Sequence, residues 1–170
     1  KYTGTLSGGG PGVQPTVGHN LSSAASLVIS KATSANSSWV VQHSSLGTNE
    51  FLYLDKSEGV SKSTDKGAGD LAKPNATTFE AAWLTGLNIS GVEHIAYCWA
   101  ETPGVSSFGS YTGKNSTVTI NCGFKPAFVM IKSTDKSAQE WVMFDTVRNP
   151  SNPTDKILYA NEAGSELTFD

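Results

Sequence analysis

Apolar positions along this chain come in short bursts separated by clusters of Gly, Ser, Asn and Asp. β-Branched or aromatic runs bounded by such turn-formers are the pattern of strands. Strands are predicted over Ala25 to Lys31, Ser38 to His43, Glu50 to Leu54, Thr77 to Ala81, Glu93 to Ala100, Ser116 to Cys122, Ala127 to Lys132, Trp141 to Asp145 and Lys156 to Ala160. Within one of these, Trp141, Met143 and Asp145 alternate with Val142 and Phe144, the period of two that sends successive side chains to opposite faces. No long segment carries a helical period. A short helix competes with a strand only at Thr78 to Gly86. The runs Gly8 to Gly12 and Ser61 to Gly69 read as exposed loops. Many short strands between turn signals predict an all-β fold, a β-sandwich or a jelly roll.

The bursts also repeat in order. Tyr2-Thr3-Gly4 recurs as Tyr111-Thr112-Gly113, and Gly18-His19 is matched by Gly123-Phe124. Next comes an apolar strand closing on lysine, Leu27-Val28-Ile29-Ser30-Lys31 beside Phe128-Val129-Met130-Ile131-Lys132. A polar hairpin leads in each copy to a tryptophan strand, Trp39-Val40-Val41 and Trp141-Val142-Met143. The last block is Phe51-Leu52-Tyr53-Leu54-Asp55, with Ile157-Leu158-Tyr159-Ala160-Asn161 as its counterpart. A strand-turn-strand-loop-strand unit used twice is the expectation, residues 1–107 forming the first unit and 108–170 the second, together one compact β domain. Trp39 and Trp141 are expected to anchor the two cores, with Trp99, Tyr53 and Tyr159 as further anchors. Paired sugar-stacking tryptophans are the functional alternative for Trp39 and Trp141. Lys31 and Lys132 are expected to lay their stems on the sheet and hold their ammonium groups in water. The first unit runs on through Phe79, Trp83 and Ile95 to Trp99, whereas the second stops soon after Tyr159. A truncated second copy leaves an open sheet edge, and open edges need partners, from elsewhere in the molecule or from a neighbouring subunit.

Composition narrows the classes. Charged residues make up 16% of the 170 positions and hydrophobic ones 38%, with Gly 17 and Pro 7 filling loops; a typical charged share is about 25%. Four Trp, five Tyr and seven Phe argue against disorder. No apolar run is long enough to span a membrane. Net charge is -3 and Arg148 is the single arginine, so no phosphate-neutralising surface is available and nucleic acid is not expected as a partner. The chain opens at Lys1 without an initiator Met or a signal peptide, which suggests a processed product or a piece of something longer.

Chemistry-bearing residues do not gather into a motif, so no enzyme, cofactor, metal or catalytic residue is expected. Glycan cleavage needs two carboxylates flanking a groove; Glu80, Glu93 and Glu101 are the candidates, but no Glu-x-Asp-x-x-Glu arrangement appears that would put carboxylates on one strand face. His19, His43 and His94 lie far apart and no Gly-x-Ser-x-Gly elbow supplies a nucleophile. Gly109 to Lys114 superficially suggests a phosphate loop, yet it is one residue short between its glycines and is followed by Asn115 rather than Ser or Thr. It reads as a turn. Cys98 sits in an apolar run, where a free thiol packs as a small hydrophobe, and a disulfide to Cys122 is the lesser alternative. Neither cysteine has zinc-site spacing. The Asn-x-Ser/Thr triplets at Asn20, Asn36, Asn75, Asn88 and Asn115 are expected by accident in so Ser- and Thr-rich a chain. Calcium could use loop oxygens at Asp65 and Asp70, or at Asn149, Asn152 and Asp155, with polar loop tips as the default reading.

Two stretches resemble a known family. Ile95-Ala96-Tyr97-Cys98-Trp99-Ala100-Glu101 followed by Ser107-Phe108-Gly109-Ser110-Tyr111-Thr112-Gly113 is similar to a duplicated β-rich domain of tailed-bacteriophage, cyanophage-like, tail and fibre proteins. So is Gly123-Phe124-Lys125-Pro126-Ala127-Phe128-Val129-Met130-Ile131-Lys132, continuing to Trp141 and Phe144-Asp145. The first unit departs from that pattern at Leu21-Ser22-Ser23-Ala24, where it lacks the proline that Pro126 supplies in the second. The resemblance implies a non-enzymatic virion structural protein, a module of a phage tail, tail fibre or surface appendage. Its partners would be other virion proteins and further copies of itself. It transfers no catalytic residue. The alternatives are a host-surface glycan (receptor) binding module and a capsid decoration or cement protein.

Overall fold

The computed structural model describes residues 1–5, 15–63, 71–81 and 86–168. In chain order the strands are β1 (Tyr2–Thr3), β2 (Thr16–Gly18), β3 (Ala25–Ala32), β4 (Val40–His43), β5 (Glu50–Tyr53), β6 (Ser61–Lys62), β7 (Thr78–Glu80), β8 (Glu93–Ala100), β9 (Phe128–Ile131), β10 (Val142–Asp145), β11 (Lys156–Tyr159) and β12 (Leu167–Thr168). No helix occurs among the described residues. The fold is all-β, and its antiparallel sheets stack as a sandwich. A six-stranded sheet runs β1-β8-β3-β4-β5-β6, a four-stranded sheet β12-β11-β10-β9, and β2 pairs with β7.

Alternation along β3 explains why the centre of the six-stranded sheet, β3 to β5, is buried on both faces. Val28 lies under Phe79, while Val40 on β4 joins Phe51, Leu71, Ala81 and Leu87; this is the outer core, roofed by residues 71–81 and 86–88. Ile29, Val41 and Leu52 point the other way and meet Trp141, with Met130 and Ala160 packed beside them. This second core is the interior of the sandwich. The Trp141 indole N–H donates to the Tyr53 carbonyl at 2.8 Å, tying the two sheets together where a buried N–H needs an acceptor. Each fully buried Val, Leu, Ile or Phe adds about 1.5–3 kcal/mol against exposure.

The two central meanders pair in matching registers. In the first, Ile29 faces Val41 and Val41 faces Leu52; in the second, Met130 faces Met143 and Met143 faces Leu158. The Asp55 carboxylate accepts from the Trp39 N–H at 3.0 Å, and the Asn161 side-chain oxygen accepts from the Trp141 N–H at 2.9 Å. Lys31 and Lys132 differ from expectation. Their ammonium groups donate to carbonyls, Lys31 to Ser37 at 2.6 Å and Lys132 to Ser57 at 2.9 Å and to Gln139. They close hairpins, because an ammonium carries the donors that carbonyls at a tight turn lack. Desolvation lowers the Lys132 pKa accordingly.

Other departures have local reasons. Ser116 to Cys122 has strand composition but forms no strand, since no neighbour lies within pairing reach, and Ile120 is left 53% exposed. Ser61 and Lys62, expected in a loop, add β6 to the sheet edge, with Phe51 opposite Ser61. At Thr78 to Gly86 the strand prevails over Thr78–Glu80, because β2 supplies a partner; residues 82–85, and Trp83 with them, lie outside the described residues. The glycine-rich run Gly8 to Gly12 and the calcium candidates Asp65 and Asp70 lie outside them too.

Candidate functional site

Trp99, expected as a core anchor, is instead 42% exposed. On β8 the period of two puts Tyr97 and Trp99 on the face shared with Ile29 and Leu27, their partners across the ladder. That face is the sandwich interior, but the second sheet roofs β3 to β5 and leaves the β8 side bare. Trp141 is buried, while Trp39, Tyr53 and Tyr159 are half-buried. The result is an aromatic strip. Trp39 stacks near Tyr97 with centroids 6.5 Å apart, Tyr97 near Trp99 at 6.2 Å, and the Lys31 ammonium sits 5.6 Å from the Trp39 ring centroid. Tyr97, which sequence reasoning did not single out, is the middle ring; its spacing of two from Trp99 was the available signal.

Beside Trp39 the strip opens into a cavity of about 490 Å³ at the lip of the sandwich, lined by Leu54, Asp55, Ala160, Asn161 and Glu162. The lining combines a ring with carboxylate and amide groups. Such a surface can stack on an apolar ring face and accept hydrogen bonds from hydroxyls. Part of that capacity is spent on the protein, since Asp55 and Asn161 already cap backbone N–H groups.

Two of the bare sheet edges carry exposed aromatic side chains. β9 pairs with β10 on one side and with nothing on the other, and Phe128 on it is 55% exposed. β1 covers β8 only at Glu93 and His94, so Ile95 to Ala100 is paired on the β3 side alone.

The titratable candidates disperse. Glu80 accepts from the Ala72 N–H at 2.6 Å, Glu93 lies 3.9 Å from the Lys1 ammonium, and Glu101 accepts from the Ser107 hydroxyl at 3.4 Å. His94 is fully buried, stacked on Tyr2 at 5.0 Å, with its ring nitrogens 2.9 Å from the Val92 carbonyl and 3.1 Å from that of Gly86. His19 braces a loop, accepting from the Leu21 N–H at 3.1 Å. His43 accepts from the Ser45 N–H at 3.0 Å, and burial lowers its pKa. The structure brings none of these into one site. Cys98 and Cys122 are free thiols, and desolvation raises the Cys98 pKa. Asn149 donates to Asp155, and Asn152 joins no acidic cluster: no group of three or more His, Cys, Asp or Glu side chains gathers among the described residues. Gly109 to Lys114 is exposed coil.

A further cluster surrounds the one arginine. Arg148 pairs with Asp145 at 2.5 Å and with Glu166 at 3.3 Å, and Lys156 reaches Glu166 at 2.9 Å. Asp145 also accepts from the N–H groups of Val147 and Arg148, which turns the chain after β10. These bonds are all used up in holding β10 to β12, so the cluster is a brace.

Compared with known proteins, residues 2–170 match one family model, described as a domain of unknown function (DUF7483). No curated protein and no solved structure matches the chain.

Proposed function

The chain belongs to the DUF7483 family, and we propose that it works without catalysis, as a β module that assembles with neighbouring subunits in a virion. The setting we propose is a phage tail, tail fibre or surface appendage, with units divided near residue 107. The single observation that carries the assembly reading is the bare β9 edge, an unpaired row of backbone groups beside the exposed Phe128. Natural sheets that stay monomeric blunt such edges with charge, proline or cover, and β9 carries none of these between Phe128 and Ile131. Sedimentation tests it. Association should rise with concentration, and Phe128→Lys should suppress it without lowering the unfolding midpoint. A chain that stays monomeric throughout sinks the proposal. Attachment to the head as a decoration or cement protein uses the same physics, and labelling of intact particles separates the two positions.

A second reading is favoured by the strip of Trp39, Tyr97 and Trp99 beside Asp55, Asn161 and Glu162. Stacked rings next to hydrogen-bond acceptors suit a pyranose, so recognition of a bacterial surface glycan is the alternative. Glycan-array binding that disappears in Trp99→Ala supports it; silence on the array counts against it.

A further inference from the structure

We propose that the second sheet is built to receive a strand pair of the β7–β8 kind, presented by a further unit of this same domain. The inference rests on the assembly reading above and names the partner.

In the first unit, β8 pairs with β3 and β1, and β7 pairs with β2. The matching positions in the second unit are β9, Tyr111–Thr112 and Asn121–Gly123. Among the described residues β9 is paired on its β10 side alone, and the other two segments belong to no strand. Each of these three segments thus lacks the cover that β7 or β8 gives its counterpart.

Glycine sharpens the point. Gly4 lies so close to the preceding loop that an added Cβ would meet the Ile89 carbonyl oxygen at 2.0 Å, so only glycine fits. Gly113, in the same Tyr-Thr-Gly triplet, has nothing within 4 Å. The requirement is written into the sequence where the neighbour that imposes it is missing. Tyrosine tells the same story. The Tyr2 hydroxyl donates to the Leu87 carbonyl at 2.8 Å, whereas Tyr111 is 48% exposed. Val28 is fully buried beneath Phe79, and its counterpart Val129 is only half-buried.

Backbone direction agrees. The Ser44 N–H bonds the Ser26 carbonyl and the Thr33 N–H bonds the Glu93 carbonyl, so by antiparallel alternation Leu27, Ile29 and Lys31 aim their N–H groups at β8. On β9, the Thr146 N–H bonds the Ala127 carbonyl, which aims Phe128, Met130 and Lys132 at the bare edge. The partner is therefore an antiparallel strand resembling Glu93–Ala100, led by a short strand whose aromatic residue roofs Val129 as Phe79 roofs Val28.

The test extends the full chain with a second copy of residues 56–106 after Asp170 and follows amide hydrogen exchange. In the unextended monomer the amides of Phe128, Met130 and Lys132 should exchange freely. In the extended chain they should slow by about a hundredfold or more, together with those of Tyr111 to Gly113. Gly113→Val should abolish that slowing in the extended chain and leave the unextended chain unchanged. Should the extension misfold, the peptide 71–106 added in trans must give the same protection. Free exchange in both formats overturns the proposal. So does protection in the unextended chain that appears only as it self-associates, which would make the occupant a second copy's bare β8 edge. Self-association in sedimentation can fail while this protection appears, and the reverse, so the two readings fall separately.

Discussion

The meander β3–β4–β5 is buried on both faces, whereas β9–β10–β11, paired in the same registers, is buried on its inner face and lightly covered on the other. The strands are not what differs. The first meander has Leu71, Phe79, Ala81 and Leu87 as a roof, so Val28 and Val40 are fully buried while Val129 and Val142 at the matching positions are half-buried. A β meander with one free face and one free edge is half of a packing problem. Burial of that face would add stability at roughly 25 cal/mol per Å² of apolar area.

Substitutions at matching positions can break this comparison. The largest contrast is expected between the tryptophans. Trp141→Ala empties the buried core between the sheets and forfeits the bond to Tyr53, at about 3–5 kcal/mol by urea unfolding. Trp39→Ala, half-buried at the lip, should cost about 2 kcal/mol or less. Equal losses would mean that the lip beside Trp39 is as closed in solution as the interior around Trp141. Next come the glycines. Gly4→Ala drives a Cβ into the Ile89 backbone and should cost about 1–3 kcal/mol, while Gly113→Ala should lie within about 0.5 kcal/mol of the parent. A destabilising Gly113→Ala in a monomer would show that something already sits against it.

The smallest effect is on pH. Hydrogen bonds from the Arg148 backbone and guanidinium hold the Asp145 carboxyl below its ordinary value, and those from Lys156 and Arg148 do the same for Glu166. In the first sheet Glu50 is likewise lowered, by Lys62 and the Gly47 N–H. A carboxyl depressed in the folded state stabilises above its ordinary pKa and loses that contribution as pH falls through the folded value. Acid below the ordinary carboxylate range should therefore loosen the chain, and Arg148→Ala should flatten the acid limb followed by exchange at β10 to β12. An acid limb that Arg148→Ala leaves unaltered would remove the brace from the argument. These pairs reach solvent, so salt should shrink the effect.

Legibility in the sequence followed the number of bodies involved. Glu93 to Ala100 coincides with β8, because its long apolar run is strand-like whatever it packs against. Strands as short as β1, β2, β6 and β12 carry no period and exist only where a neighbour pairs with them. Ser116 to Cys122 is the converse, a strand pattern lacking a neighbour. The aromatic character of Trp99 predicts a core position, yet its burial depends on how far the second sheet extends across β8.

Taken alone, the order of apolar bursts, turn residues and tryptophans determined an all-β chain and most of its longer strands, since periodicity and turn chemistry are local properties. Only the tertiary structure decided which edges and faces are covered. Cover depends on how two sheets overlap and where a roofing segment runs, and no local pattern encodes that. This is why Gly4 and Gly113, alike in sequence, sit in opposite surroundings.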